Sequence, residues 1–129
     1  MIKIEELTKN TEKAAEFFAD KLAFTLGPAE LKKLHETNPD GIQIIDVRHA
    51  DVYMKSHIPD AISIPADNLS ISMHHLSKDK INIVYCYNED CHLAARVAKS
   101  LAEMGYPVME LQGGFESWRE KDFDMVTSG

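Results

Sequence analysis

The stretch Ile81-Asn82-Ile83-Val84-Tyr85-Cys86-Tyr87-Asn88-Glu89-Asp90-Cys91-His92 decides the fold. It opens with an apolar, β-branched run of strand length that ends at a cysteine. From His92 onward, Leu93, Val97, Ala98 and Leu101 recur at the spacing of one helix face. Only Tyr87 to Cys91 lie between strand and helix. A loop of this kind, from the carboxyl end of a parallel strand to a helix amino terminus, is where α/β proteins place ligands, because free N–H groups and the helix dipole converge there. Cys86 falls inside that cradle. A free cysteine has a pKa of about 8.5, and surrounding N–H donors favour its nucleophilic thiolate. A buried structural cysteine fits the same position equally well, so position alone leaves both readings open.

Working outward, the chain alternates β-branched runs with helical stretches. Segments Ile42 to Val47, Ala61 to Ile64, Ile81 to Tyr85 and Pro107 to Leu111 read as strands; Ala50 to Ser56, Asn68 to Leu76, His92 to Met104 and Phe115 to Lys121 read as helices. This alternation predicts an α/β domain with a mainly parallel sheet covered by helices. Gly27-Pro28 punctuates the start, with Pro28 suited to the first turn of a helix running through Leu34. Ahead of it, Ile4, Leu7, Ala14, Phe18 and Leu22 recur at three-, four- and seven-residue steps. Residues 1–22 are therefore expected to be an N-terminal helical extension packed on a domain of residues 23–129. A dimer contact is the alternative use of that helix, so the expected state is monomer or homodimer. No internal repeat or low-complexity linker divides the chain.

At 129 residues, with 44% hydrophobic and 27% charged side chains, the chain suits one globular core. Its 21 acidic against 14 basic side chains give a formal charge of −7, which argues against nucleic acid or an anionic membrane surface as partner. The opening Met1-Ile2-Lys3-Ile4-Glu5-Glu6-Leu7 lacks the order of a signal peptide, and no apolar run reaches the ~20 residues that span a bilayer. A cytoplasmic location is expected. The two cysteines, Cys86 and Cys91, are too few and too close for a secreted disulfide framework.

Four signatures, in order, resemble those of the rhodanese family over the segment from Phe24 to Phe123. They are Ile45-Asp46-Val47-Arg48; the run His57-Ile58-Pro59-Asp60-Ala61-Ile62-Ser63-Ile64-Pro65; the strand-cysteine-loop-helix unit already described; and Leu111-Gln112-Gly113-Gly114-Phe115-Glu116-Ser117-Trp118. The resemblance implies a three-layer fold with a five-stranded, mainly parallel sheet, here with an extra N-terminal helix. It also implies a sulfurtransferase in which Cys86 carries sulfane sulfur as a persulfide and hands it to a thiol or to cyanide. Tyr87, Asn88, Glu89, Asp90, Cys91 and His92 would then surround the bound sulfur, with no metal or organic cofactor required. Structural roles suffice for the other signature residues: Asp46 and Arg48 as a charge pair at a strand end, the prolines as rigid turns, Trp118 as core, and Gly113 and Gly114 as special backbone angles. Rhodaneses are similar in architecture to the dual-specificity cell-cycle phosphatases, whose cysteine is followed six residues later by a phosphate-holding arginine. Here that place is His92, which argues against phosphatase activity.

The loop departs from relatives that use thiosulfate, which tend to carry Arg, Lys or Gly where this chain has Glu89 and Asp90. Two like charges ~8 Å apart repel by about 2 kcal/mol at an effective dielectric near 20. A dianion is thereby disfavoured, and a protein or small-molecule persulfide becomes the expected donor, unless both acids point into water and are screened. Cys91 stands where a small residue can start the helix; a resolving thiol is its other reading. Zinc on Cys86, Cys91, His92 and His57 fits poorly, because no second cysteine pair exists, and His74-His75 reads as a solvated helix face. Two alternatives to catalysis stand beside it: a non-catalytic rhodanese-like binding module, and a redox sensor built on Cys86 and Cys91.

Overall fold

The computed structural model describes residues 3–69 and 76–128. Helices α1 (Ile4–Thr8) and α2 (Thr11–Phe24) come first, followed by β1 (Thr25–Leu26), α3 (Pro28–Thr37), a 3-10 turn (Pro39–Gly41), β2 (Ile42–Asp46) and α4 (Ala50–Lys55). After these come β3 (Ser56–His57), β4 (Ile62–Ser63), a 3-10 turn (Ala66–Asn68), β5 (Ile81–Tyr85), α5 (Leu93–Glu103), β6 (Val108–Leu111), α6 (Gly114–Glu120) and β7 (Val126–Thr127). Five strands form one sheet in the order β1-β6-β5-β2-β4, every pairing parallel. Strands β3 and β7 make a small antiparallel ribbon beside it. The expected α/β class is what forms. The expected helix from Asn68 to Leu76, with His74-His75, falls largely on residues 70–75, outside the described residues.

The period of two along the central strands explains the layering. Ile42, Ile44, Ile83 and Tyr85 point to one face, where they meet Leu31 of α3 and Phe115 and Trp118 of α6. Ile45, Val84 and Cys86 point to the other, against Ala94, Val97 and Leu101 of α5. Each fully buried Leu, Ile or Val contributes roughly 1.5–3 kcal/mol, so both layers hold the sheet. Because successive side chains alternate, Tyr85 and Cys86 are sent to opposite faces. Pro59 and the left-handed Asp60 (φ 66°) form a turn closed by the Ala61 N–H on the Ile58 carbonyl at 3.0 Å, the arrangement of a type II turn. Trp118 is core, and its indole N–H donates to the Asp124 carbonyl at 2.8 Å.

The N-terminal segment differs from a single packed helix. Asn10 splits it by capping α2, its side chain accepting the Lys13 N–H at 3.2 Å. Neither α1 nor α2 buries a residue. Ile4 is 76% exposed and Leu22 81%, so the stripe read from periodicity does not enter the core. Helix α2 instead touches the sheet edge at β1 and β6. Among the described residues no helix is long and apolar enough to cross a membrane.

Candidate active site

The site begins where β5, the middle strand of the sheet, delivers Cys86 to its carboxyl edge. Cys86 is 2% exposed. The backbone N–H groups of Tyr87 and Ala94 favour its charged form, and the neighbouring Cys91 side chain disfavours it. Its Sγ lies 3.4 Å from the Cys91 carbonyl oxygen, to which the thiol donates. Burial dominates its titration: removal from water, reinforced by Cys91, pushes the thiol up to about 12, and the two amides only partly oppose this. The expected thiolate is thus not the resting form. The sequence signalled the helix terminus and its donors but not how completely α5 and the sheet cover the sulfur.

A second helix clamps the loop from behind. Gly113 and Gly114 take φ values of 80° and 59°, the special angles expected of them. They aim the first turn of α6 at the loop, where the Phe115 N–H donates to the Cys86 carbonyl at 2.8 Å and the Glu116 N–H to the Tyr87 carbonyl at 3.0 Å. A Cβ at Gly114 would sit 2.6 Å from the Cys86 carbonyl oxygen, so the approach depends on a missing side chain. Below, Asp46 and Arg48 form the expected strand-end pair, both buried, with Nη2 to Oδ2 at 2.7 Å and the Arg48 N–H on Oδ1 at 2.9 Å. Arg48 also donates to the Ser56 carbonyl at 2.6 Å and lies 4.2 Å from the Phe115 ring centroid. Tyr85 completes the network, its hydroxyl accepting the Ile58 N–H at 3.2 Å, and burial together with the Asp46 charge pushes its pKa up.

The other loop residues divide. Asn88, Glu89, Asp90, Cys91 and His92 line, with Cys86, a cavity of about 800 Å³. Asn88 holds the loop's shape, its side chain accepting the Asp90 N–H at 3.0 Å and its carbonyl the Cys91 N–H at 3.1 Å. Glu89 and Asp90 are exposed and also border that cavity. Tyr87 turns away: its hydroxyl accepts the His49 N–H at 3.2 Å, and its ring lines a separate cavity of about 490 Å³ beside Val47, Pro65 and Arg96. His57 does not line the Cys86 cavity and is stacked on Tyr53 at 3.8 Å. Among the described residues, no group of three or more His, Cys, Asp or Glu could hold a metal ion.

The opposite wall of the Cys86 cavity was not legible in the sequence. It comes from α2, through Phe17, Asp20, Lys21 and Phe24. Glu110 of β6 lies between the two walls, where burial raises its pKa against the pull of His92 and Lys21. The edge strand β1 has only two residues, too short for a periodic signal, yet its pairing with β6 brings α2 to this place.

An α/β sheet that presents a cysteine in a short loop between its middle strand and a helix defines the class. The family model described as Rhodanese-like domain matches residues 27–121, and the chain belongs to that family. It is similar to thiosulfate sulfurtransferase GlpE of Pseudomonas savastanoi pv. phaseolicola, at 29% identity over 79% of this chain and 92% of the relative. It is also similar to the HTH-type transcriptional regulator Rv0324 of Mycobacterium tuberculosis, at 31% identity over 70% of this chain, and spans only 39% of the regulator's length. Among solved structures, the BH2092 protein of Bacillus halodurans superposes with a TM-score of 0.81 at 34% identity, covering 92% of this chain and 87% of its own. The match to GlpE supports a sulfurtransferase family.

Proposed function

We propose that the protein is a sulfurtransferase that carries sulfane sulfur as a persulfide on Cys86 and passes it to a thiol or cyanide acceptor. The observation that carries this reading is Cys86 itself, which lines an open cavity at the carboxyl end of the middle strand, where the backbone N–H groups of Tyr87 and Ala94 favour its charged form. With a hydropersulfide donor R–S–SH, Cys86 sulfur attacks the outer sulfur, the S–S bond of the donor breaks, and the Cys86 proton leaves with the departing thiolate as R–SH. Cys86 then bears the S–SH group. An acceptor thiolate attacks that outer sulfur and returns Cys86, while cyanide would leave as thiocyanate. The fixed amides stabilise charge on the inner sulfur as it becomes the leaving group, the role of an oxyanion hole. A proton-neutral exchange suits a buried, protonated thiol, and it favours a persulfide over thiosulfate as donor.

The test is turnover: sulfur transfer from hydropersulfide to cyanide, followed as thiocyanate, is expected for the wild-type chain and absent in Cys86→Ser. Equal turnover in both would remove Cys86 from the mechanism. No turnover with any donor would favour a binding module, such as a domain within a regulator.

The closeness of the two cysteines, with Cys86 Sγ 3.4 Å from the Cys91 carbonyl oxygen, favours one second reading, a dithiol redox pair. Attack of the Cys91 thiolate on the inner sulfur of the Cys86 persulfide would expel sulfide and leave a Cys86–Cys91 disulfide, the sulfane sulfur being reduced as the two thiols are oxidised. That reading stands if the disulfide accumulates on donor addition, and falls if the persulfide persists without it.

A further inference from the structure

We propose that the α2 wall makes the Cys86 cavity a binding site for a small organic hydropersulfide whose carbon body carries an ammonium group. The inference rests on the persulfide-carrier reading and names the donor for it. Its starting point is the room beside Cys86. A cavity of about 800 Å³ lies in the range of pockets that hold whole organic ligands, roughly 300–1,000 Å³.

The walls give the ligand its chemistry. Phe17 and Phe24 are 58% and 59% exposed, large aromatic surfaces that the domain's own core does not use although they line the same cavity as its nucleophile. Phe17 is held edge-on by Phe18 at a centroid distance of 5.0 Å, which fixes an apolar face for the carbon body of a ligand. Charge decides what that body carries. Asp20, Glu89, Asp90 and Glu110 outnumber Lys21 and Lys99 around the cavity, and although Glu89 and Asp90 are exposed, a ligand inside the cavity they line lies within about a Debye length, ~8 Å, of them, so the field there attracts an ammonium and repels a dianion. Cys86 at the floor then meets the terminal sulfur of a donor whose carbon chain runs up toward α2. Phe17, Asp20, Lys21 and Phe24 lie before residue 27, so the aromatic wall comes from outside the segment matched by the family model, whereas Glu89, Asp90 and Glu110 lie within it.

The experiment measures second-order rate constants for persulfidation of Cys86 in the full chain, by intact mass, with cysteine hydropersulfide and with thiosulfate. A Phe17→Ala, Phe24→Ala double variant should lower the ratio of the two constants about tenfold, equivalent to about 1.4 kcal/mol of selective contact. Phe17→Leu, Phe24→Leu should restore part of it, and Leu22→Ala, on the same helix but outside the cavity, should keep the wild-type ratio. A second comparison sets cysteamine hydropersulfide against 3-mercaptopropionate hydropersulfide, and the ammonium-bearing donor should react faster with the wild type. An unchanged ratio in the double variant, or equal rates for the two probes, overturns the assignment while leaving the carrier reading intact. Absence of any adduct on wild-type Cys86 overturns both.

Discussion

Replacing Gly114 by Ala tests whether the α6 clamp holds the cysteine loop in its working shape. The residue has φ 59°, and the added Cβ would meet the Cys86 carbonyl oxygen at 2.6 Å, the Asn88 nitrogen at 2.8 Å and the Tyr87 carbonyl carbon at 2.9 Å. All three are backbone atoms of the loop, so no side chain can rotate away. The left-handed conformation costs an L-residue roughly 1–2 kcal/mol, and overpacking of this kind about 1–3 kcal/mol more. A loss of about 2–5 kcal/mol leaves most domains of this size folded, given typical stabilities of about 5–15 kcal/mol. Gly113→Ala is the matched comparison, since φ is 80° but the Cβ would meet Ser117 Cβ at 2.7 Å, on α6 itself. Urea denaturation gives the two stability losses, and persulfidation of Cys86 gives the two rates. Both variants should lose stability, and Gly114→Ala alone should lose more than tenfold in rate, about 1.4 kcal/mol or more of barrier. A Gly114→Ala variant with wild-type kinetics would refute the clamp.

Three other outcomes follow from the same contacts. Because burial raises the Cys86 pKa to about 12, its alkylation by iodoacetamide should climb about tenfold per pH unit from pH 7 to 10, and a plateau near neutrality would contradict the buried thiol. The linked stability has a definite sign: Cys86 and Tyr85 both have raised folded-state pKa values, so their contribution is full below about pH 8.5 and lost as pH rises above it. Alkaline unfolding of Cys86→Ser should be correspondingly shallower in urea titrations at successive pH values. Arg48→Met strands the buried Asp46 carboxylate and should cost about 3–5 kcal/mol, whereas Asp46→Leu combined with Arg48→Met should cost less, as read by denaturant midpoints.

The sheet was legible because its central strands are apolar on both faces: Ile83-Val84-Tyr85-Cys86 buries every side chain, and a run of that kind has few other places to go. Helix α5 was legible because Ala94, Val97 and Leu101 share one buried face. The N-terminal stripe was misleading, since periodicity reports that Leu7, Phe18 and Leu22 share a spacing and not whether the domain offers them a partner. Short pairings such as β1 with β6 and β3 with β7 carry no periodic signal at all. Within the site, the sequence identified Cys86 and the glycine pair. It did not reveal the close approach of Gly114, the turning away of Tyr87 or the α2 wall, because each depends on distances set by residues far apart in the chain.

Intact-mass analysis after a hydropersulfide donor is added to the wild type, Cys86→Ser and Cys91→Ser tests the carrier account most directly. A single added sulfur on the wild type and on Cys91→Ser, lost on cyanide addition and absent from Cys86→Ser, is the predicted result. An adduct that survives in Cys86→Ser, or a wild-type Cys86 that remains a bare thiol throughout, would contradict it.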